Sequence, residues 1–154
     1  MIMKCLSVSQ PFANMIISGQ KTIELRKWNT NFRGELLIHA PKKIRVKDCK
    51  RLRITSNMVT GAIVGKVEIY DVKTYTSKAE IIQDKRFHYA SREYYNGKTF
   101  GFLLKNPKML RIPIPWKGQL GLFDVDMPKI NIKKNQIVAE IIDEETRYQW
   151  IGHH

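Results

Sequence analysis

Lys21, Glu24 and Arg26 fall within the stretch SGQKTIELRKW at residues 18–28, and no other part of the chain gathers reactive side-chain types so densely. At strand spacing Thr22, Glu24 and Arg26 project to one side, with roughly 6 to 7 Å between successive residues. Lys21 stands at the start of that run. Arginine presents a planar fork of donors, and glutamate accepts from an exocyclic amino group such as that of cytosine or adenine, so the two can hold a base or orient one another. The same residues also fit an ion pair on an exposed sheet face, worth at most about 1 kcal/mol. A catalytic reading is chemically adequate too, with Lys21 polarising a target and Glu24 acting as general base. Trp28 continues the parity of Glu24 and Arg26, and Trp116 is followed at once by Lys117 and Gly118. Aromatic planes beside cations hold unstacked bases at about 1 to 3 kcal/mol per base. Either tryptophan would equally suit a core.

A second group of candidates serves phosphate rather than base. PKKIRVKDCKRLRI, residues 41–54, holds seven Lys or Arg against one acid, and Val46, Cys49 and Leu52 fall three apart. That spacing predicts a basic amphipathic helix, on which Lys42, Lys43, Lys47, Lys50 and Arg51 would contact phosphates; a merely solvated face is the alternative. His39 and His88 each lack an Asp, Cys or second His at a useful spacing and read as structural or surface residues. Cys5 and Cys49 have neither the number of a disulfide framework nor the spacing of a zinc site. With no glycine loop for phosphate, no nucleophile elbow and no metal motif, the sequence predicts neither metal nor cofactor.

The elements that must position these groups can be read from periodicity. Ser9, Gln10 and Pro11 resemble a helix start, Phe12, Met15 and Ile16 recur at helical spacing, and Gly19 stands where a left-handed residue would end the helix. After Gly19 the period becomes two, with Ile23 and Leu25 forming an apolar face. Further strands are predicted at 35–40, 61–75 and 98–105. In the stretch 112–125 two prolines precede a final strand, which assigns its first part to an edge or a loop. A helix is predicted over 77–86, leading into the aromatic run FHYASREYY. Strands outnumber helices, so the expected architecture is α+β, a small mixed β-barrel with flanking helices.

Bulk properties bound the partners. At 154 residues the chain has the length of one ordinary domain. Its 27 Lys and Arg against 14 Asp and Glu leave a formal charge of +13, which favours polyanions, with nucleic acid ahead of an acidic membrane. No apolar run approaches the roughly 18 residues of a spanning helix, and MIMKCLSVSQPF lacks the features of a signal peptide. A soluble, cytoplasmic protein without a membrane partner is therefore expected. The ending Gly152, His153 and His154 has the form of a tag remnant and supports no metal site.

The segment CLSVSQPFANMIISGQKTIELRKWNTNFRGELLIHA resembles the opening of an ASCH domain, the activating signal cointegrator homology family of the PUA-like superfamily. The resemblance is carried by Gln10 and Pro11 at a helix start, then Gly19, Lys21, Glu24 and Arg26 in the order G-x-K-x-x-E-x-R, then Trp28, Arg33 and Gly34. Later segments at 61–72, 102–110 and 112–125 are similar as well, so it covers about residues 3 to 126. It implies a small β-barrel over 1–127, followed by a C-terminal extension over 128–154. It also implies a cleft beside the G-x-K-x-x-E-x-R element that receives RNA or single-stranded DNA, or else a nucleotide or modified nucleoside, with Gln10, Pro11, Lys21, Glu24, Arg26, Trp28, Arg33, Trp116 and Lys117 around it. Some small bacterial members resemble it too but hydrolyse N4-acetylcytidine, using a lysine, a threonine three residues later and a later glutamate. Lys21 matches that lysine; Glu24 occupies the threonine position, and Glu80 is only a candidate for the later acid. Those departures favour the cointegrator branch and a binding role over a hydrolase of modified nucleosides or RNA. The oligomeric state is left open by the sequence.

Overall fold

The computed structural model describes residues 1–127 and the backbone of 150–152. Its elements follow the apolar periodicities closely. Strand β1 spans Ile2–Ser7, helix α1 Phe12–Ile17, β2 Ile23–Arg26, β3 Gly34–Ala40, helix α2 Val46–Arg51 and β4 Ala62–Tyr75. Then come α3 at Lys78–Gln83, α4 at Lys85–His88, a 3-10 turn at Arg92–Tyr94, β5 at Thr99–Pro115, β6 at Leu122–Asp126 and β7 at Trp150–Gly152. The proposed extension over 128–154 otherwise lies outside the described residues.

Six strands form one mixed sheet in the order β2-β5-β4-β3-β1-β6, and β7 pairs with β5 at Lys108–Leu110. Among the described strands only β1 and β3 pair in parallel. The expected barrel is not closed among the described residues: β2 and β6 end the path, each hydrogen-bonded to one neighbour. Helix α1 lies across one face, where Phe12, Met15, Ile16 and Ile17 bury against Leu6, Leu36, Ile38, Val64, Val67 and Phe102. The other residues of the same strands, among them Met3, Cys5, Leu37, Ile63 and Leu110, build a second cluster with Phe123 and Val125. Ile23 and Leu25 enter a third, with Tyr75, Ile81 and Tyr95. Both cysteines are free and buried.

Three boundaries differ from expectation, each for a local reason. The basic helix predicted over 41–54 shrinks to Val46–Arg51, because Arg45 at ψ 82° is outside helical geometry before it and Arg53 at φ 56° after it, and Val46 on its supposed apolar face is 58% exposed. The helix predicted over 77–86 divides at Asp84; Ser77 caps its first part by accepting from the Glu80 N–H at 3.2 Å. The strand predicted to stop at Lys105 runs on to Pro115. Asn106, at φ 53°, and Pro107 sit where the β4–β5 register shifts, so the bulge absorbs the proline that would otherwise end the ladder. Gly19, at φ 86°, ends α1 as its position predicts. No helix among the described residues is long and apolar enough to cross a membrane.

Candidate functional site: two adjoining hollows

The G-x-K-x-x-E-x-R residues form a buried charge cluster. Lys21 and Glu24 are 3% and 7% exposed. Lys21 Nζ lies 3.2 Å from Glu24 Oε1 and donates to the carbonyl oxygens of Ile23, at 2.7 Å, and His88. The Phe12 ring covers it, with Nζ 5.1 Å from the centroid. Glu24 Oε2 accepts from Arg26 Nε at 3.0 Å and from Nη2 at 2.9 Å. Arg26 Nη2 also donates to the Ser7 carbonyl at 2.7 Å. Burial would raise the Glu24 pKa, but the Lys21 and Arg26 charges outweigh it and hold the carboxyl below its ordinary value. Burial lowers the Lys21 pKa, against the opposing pull of Glu24.

This arrangement limits the chemistry. An ammonium has three protons, and those of Lys21 are committed to Ile23, His88 and Glu24, leaving none to polarise a substrate. Glu24, held ionised between two cations, is a weak proton acceptor. The catalytic roles considered for Lys21 and Glu24 therefore lack a free proton donor and a basic carboxylate. Arg26 differs, because its Nη1 has no partner among the described residues.

Arg26 lines two neighbouring hollows, and Ser7 and Ser9 line both with it. The first, about 250 Å³, has the charge cluster as its floor and Phe12, Arg45, Asp48, Ser91 and Tyr94 around it. Asp48 accepts from Arg45 at 2.6 Å and Arg51 at 2.9 Å; burial would raise its pKa, but these bonds bring it below the ordinary value. The second, about 920 Å³, lies between the end of β3 and the strap Pro115–Gly121, and is lined by His39, Lys42, Trp116, Lys117, Gly118 and Leu120. Thus Lys21, Glu24 and Arg26 meet in one hollow, while Trp116 and Lys117 line the next.

Other expected site residues stand elsewhere. Gln10 is fully buried, its amide bonded to Asn14 and to the Val59 carbonyl, so it fixes the start of α1 and has no free group for a ligand. Pro11 caps α1 and lines a third hollow beside Asn14 and Met15. Trp28 packs edge-on against Phe102 at 5.3 Å between centroids. Arg33 is held by the carbonyls of Thr30 and Phe32 and faces Asp71 at 3.7 Å. Arg51 is tied to Asp48 and the Tyr89 carbonyl, so it is not a free phosphate contact. Lys42, Lys43, Lys47 and Lys50 are exposed and unpaired among the described residues. Sequence reasoning missed Arg45, Asp48, Ser7 and Tyr94; only the single acid in a basic run pointed toward Asp48.

The sequence pattern of the ASCH domain matches residues 6–114. Among relatives, activating signal cointegrator 1 of Homo sapiens is 29% identical over 135 residues, covering 79% of this chain and 22% of that protein. Its Mus musculus counterpart is 27% identical over 135 residues, with the same coverage, so the chain spans about a fifth (22%) of the length of these relatives. A crystal structure of an ASCH protein from Zymomonas mobilis is similar with a TM-score of 0.62 at 16% identity, covering 80% of this chain and 87% of that one. A mutant form of the same protein gives 0.61 at 18% identity, covering 80% and 90%. At such identities the likeness concerns the fold.

Proposed function

The chain belongs to the ASCH domain family, and on that premise we propose that it is a nucleic-acid-binding module for RNA or single-stranded DNA, with residues 1–127 as the binding unit. The observation that carries this reading is Arg26: Glu24 and the Ser7 carbonyl fix its guanidinium, its Nη1 has no partner among the described residues, and the residue lines both hollows. A pre-oriented guanidinium suits the planar edge of a base or a phosphate. Lys42 and Lys117 add charge to the larger hollow, whose lining has no carboxylate among the described residues, and Lys43, Lys47 and Lys50 extend that charge along the neighbouring surface. Trp116 supplies an aromatic plane for an unstacked base. The name of the curated relatives, activating signal cointegrator 1, fits a role in transcription or RNA-related regulation.

Fluorescence anisotropy with single-stranded RNA, single-stranded DNA and duplex DNA, at about 50 and about 200 mM salt, tests the proposal. Single strands bind more tightly than duplex, and affinity falls steeply with salt. Arg26→Lys, which keeps the charge but loses the fork, weakens binding by about tenfold or more. Absent or salt-indifferent binding would sink the proposal.

A further inference from the structure

The parallel register of β1 and β3 places Ser7 beside His39. Ser7 Oγ lies 3.0 Å from His39 Nδ1, and His39 Nε2 lies 2.7 Å from the Trp116 carbonyl oxygen. A carbonyl oxygen only accepts, so Nε2 carries a proton; in the neutral ring Nδ1 is then the acceptor, and the Ser7 hydroxyl donates to it. Nucleophile, base and orienting acceptor thus stand in one chain of hydrogen bonds. His39 is 1% exposed, which fixes its ring, whereas Ser7 lines both hollows. The strap approaches this pair so closely that a Cβ at Gly118 would sit 2.6 Å from Ser7 Oγ and 2.7 Å from His39 Cε1. Any side chain there would displace the hydroxyl.

The geometry points to Ser7 and His39 as a hydrolytic dyad acting on esters that carry negative charge. Anionic substrates are selected by Arg26, Lys42 and Lys117 in a hollow without a lining carboxylate among the described residues. As Ser7 Oγ attacks the ester carbonyl, its proton passes to His39 Nδ1. The oxyanion that forms is stabilised by the Arg26 guanidinium on the same wall. Collapse breaks the bond to the alcohol, which leaves with the proton from Nδ1. Water then attacks the acyl-serine, giving a proton to Nδ1, and the carboxylic acid departs as Ser7 recovers that proton. Throughout, Nε2–H stays on the Trp116 carbonyl and holds the ring. This activity shares Arg26, Lys42 and Lys117 with the proposed nucleic-acid site, but its test contains no nucleic acid, so the two can fail separately.

Ser9 supplies an internal control, because it lines the same two hollows and makes no side-chain bond to a histidine among the described residues. The full chain is treated with a fluorophosphonate, the modified peptide is identified by mass spectrometry, and turnover of 4-nitrophenyl hydrogen succinate is compared with that of 4-nitrophenyl acetate. The expected result is modification of Ser7 about 100-fold faster than Ser9, in line with base assistance, and faster turnover of the anionic ester. His39→Gln removes both; Lys42→Ala with Lys117→Ala lowers the ratio of anionic-ester to acetate turnover, with Arg26 keeping the remainder of the preference. Equal, slow modification of the two serines in the wild type overturns the dyad, and needs no variant to fold. Modification of Ser7 with no ester turnover overturns the hydrolytic role.

Discussion

The two hollows share a wall and differ in how their charges are used. In the smaller one the ions are matched to each other: Lys21 and Arg26 to Glu24, Arg45 and Arg51 to Asp48. In the larger one, among the described residues, Lys42 and Lys117 have no partner and the lining has no carboxylate. The denser motif therefore builds the wall, and the sparser surface keeps charge available for a ligand. A cluster of reactive residue types in a sequence can be a scaffold whose product is one correctly aimed guanidinium, that of Arg26.

The contrast breaks most visibly at Glu24. Glu24→Ala leaves Lys21 buried without its counter-charge and is expected to cost about 3 to 5 kcal/mol of stability, measured by denaturant unfolding. A loss under about 1 kcal/mol would mean that the cluster is no scaffold. In the larger hollow, Trp116→Leu should weaken single-strand binding by about 1 to 3 kcal/mol, read by anisotropy, if the ring stacks on a base. Lys42→Ala and Lys117→Ala should each lower the salt slope of binding by about one while leaving the melting transition unchanged, because neither lysine has a partner to lose.

The pH dependence sharpens the same comparison with smaller effects. Glu24 and Asp48 both have folded pKa values below their ordinary ones, so the unfolded chain binds protons first on acidification. Their stabilisation is complete above about pH 4 to 4.5 and is lost as pH falls through the lower folded values. Glu24→Gln should flatten that acid limb in urea titrations. His88, buried with Nε2–H donating to Ile81 and Nδ1 accepting from Ala90, has its pKa lowered by burial. Its contribution begins to fade below about pH 6.5, and a wild-type stability curve flat from pH 7 to 5 would contradict it.

Local pattern made much of this architecture legible. Helix α1 could be placed from Pro11, Phe12, Met15 and Gly19, and β2 from Ile23 and Leu25, because their burial follows short-range periodicity. The continuation of β5 past Asn106 was not legible, since a proline normally ends a strand and only the facing β4 reveals the bulge. Arg26 stood out by type, yet nothing local told that Lys21 would spend its protons on His88, 67 residues away. His39 looked isolated because its partners, Ser7 and the Trp116 carbonyl, lie 32 and 77 residues distant. Parallel register, which sets Ser7 against His39, leaves no mark on either segment alone.

The long β4–β5 ribbon also has a kinetic consequence. It is the most extensive pairing among the described strands and joins strands that are consecutive in the chain, whereas β2 must reach across to β5 and β6 must return to β1. Closing such distant pairs is entropically slow, so the ribbon is expected to form first and the outer strands to dock upon it later. Both hollows are lined by Arg26 of β2, one of those outer strands. Fluorescence of Trp116 and ligand binding should therefore recover after most of the sheet signal in refolding, making the function the last property the chain acquires.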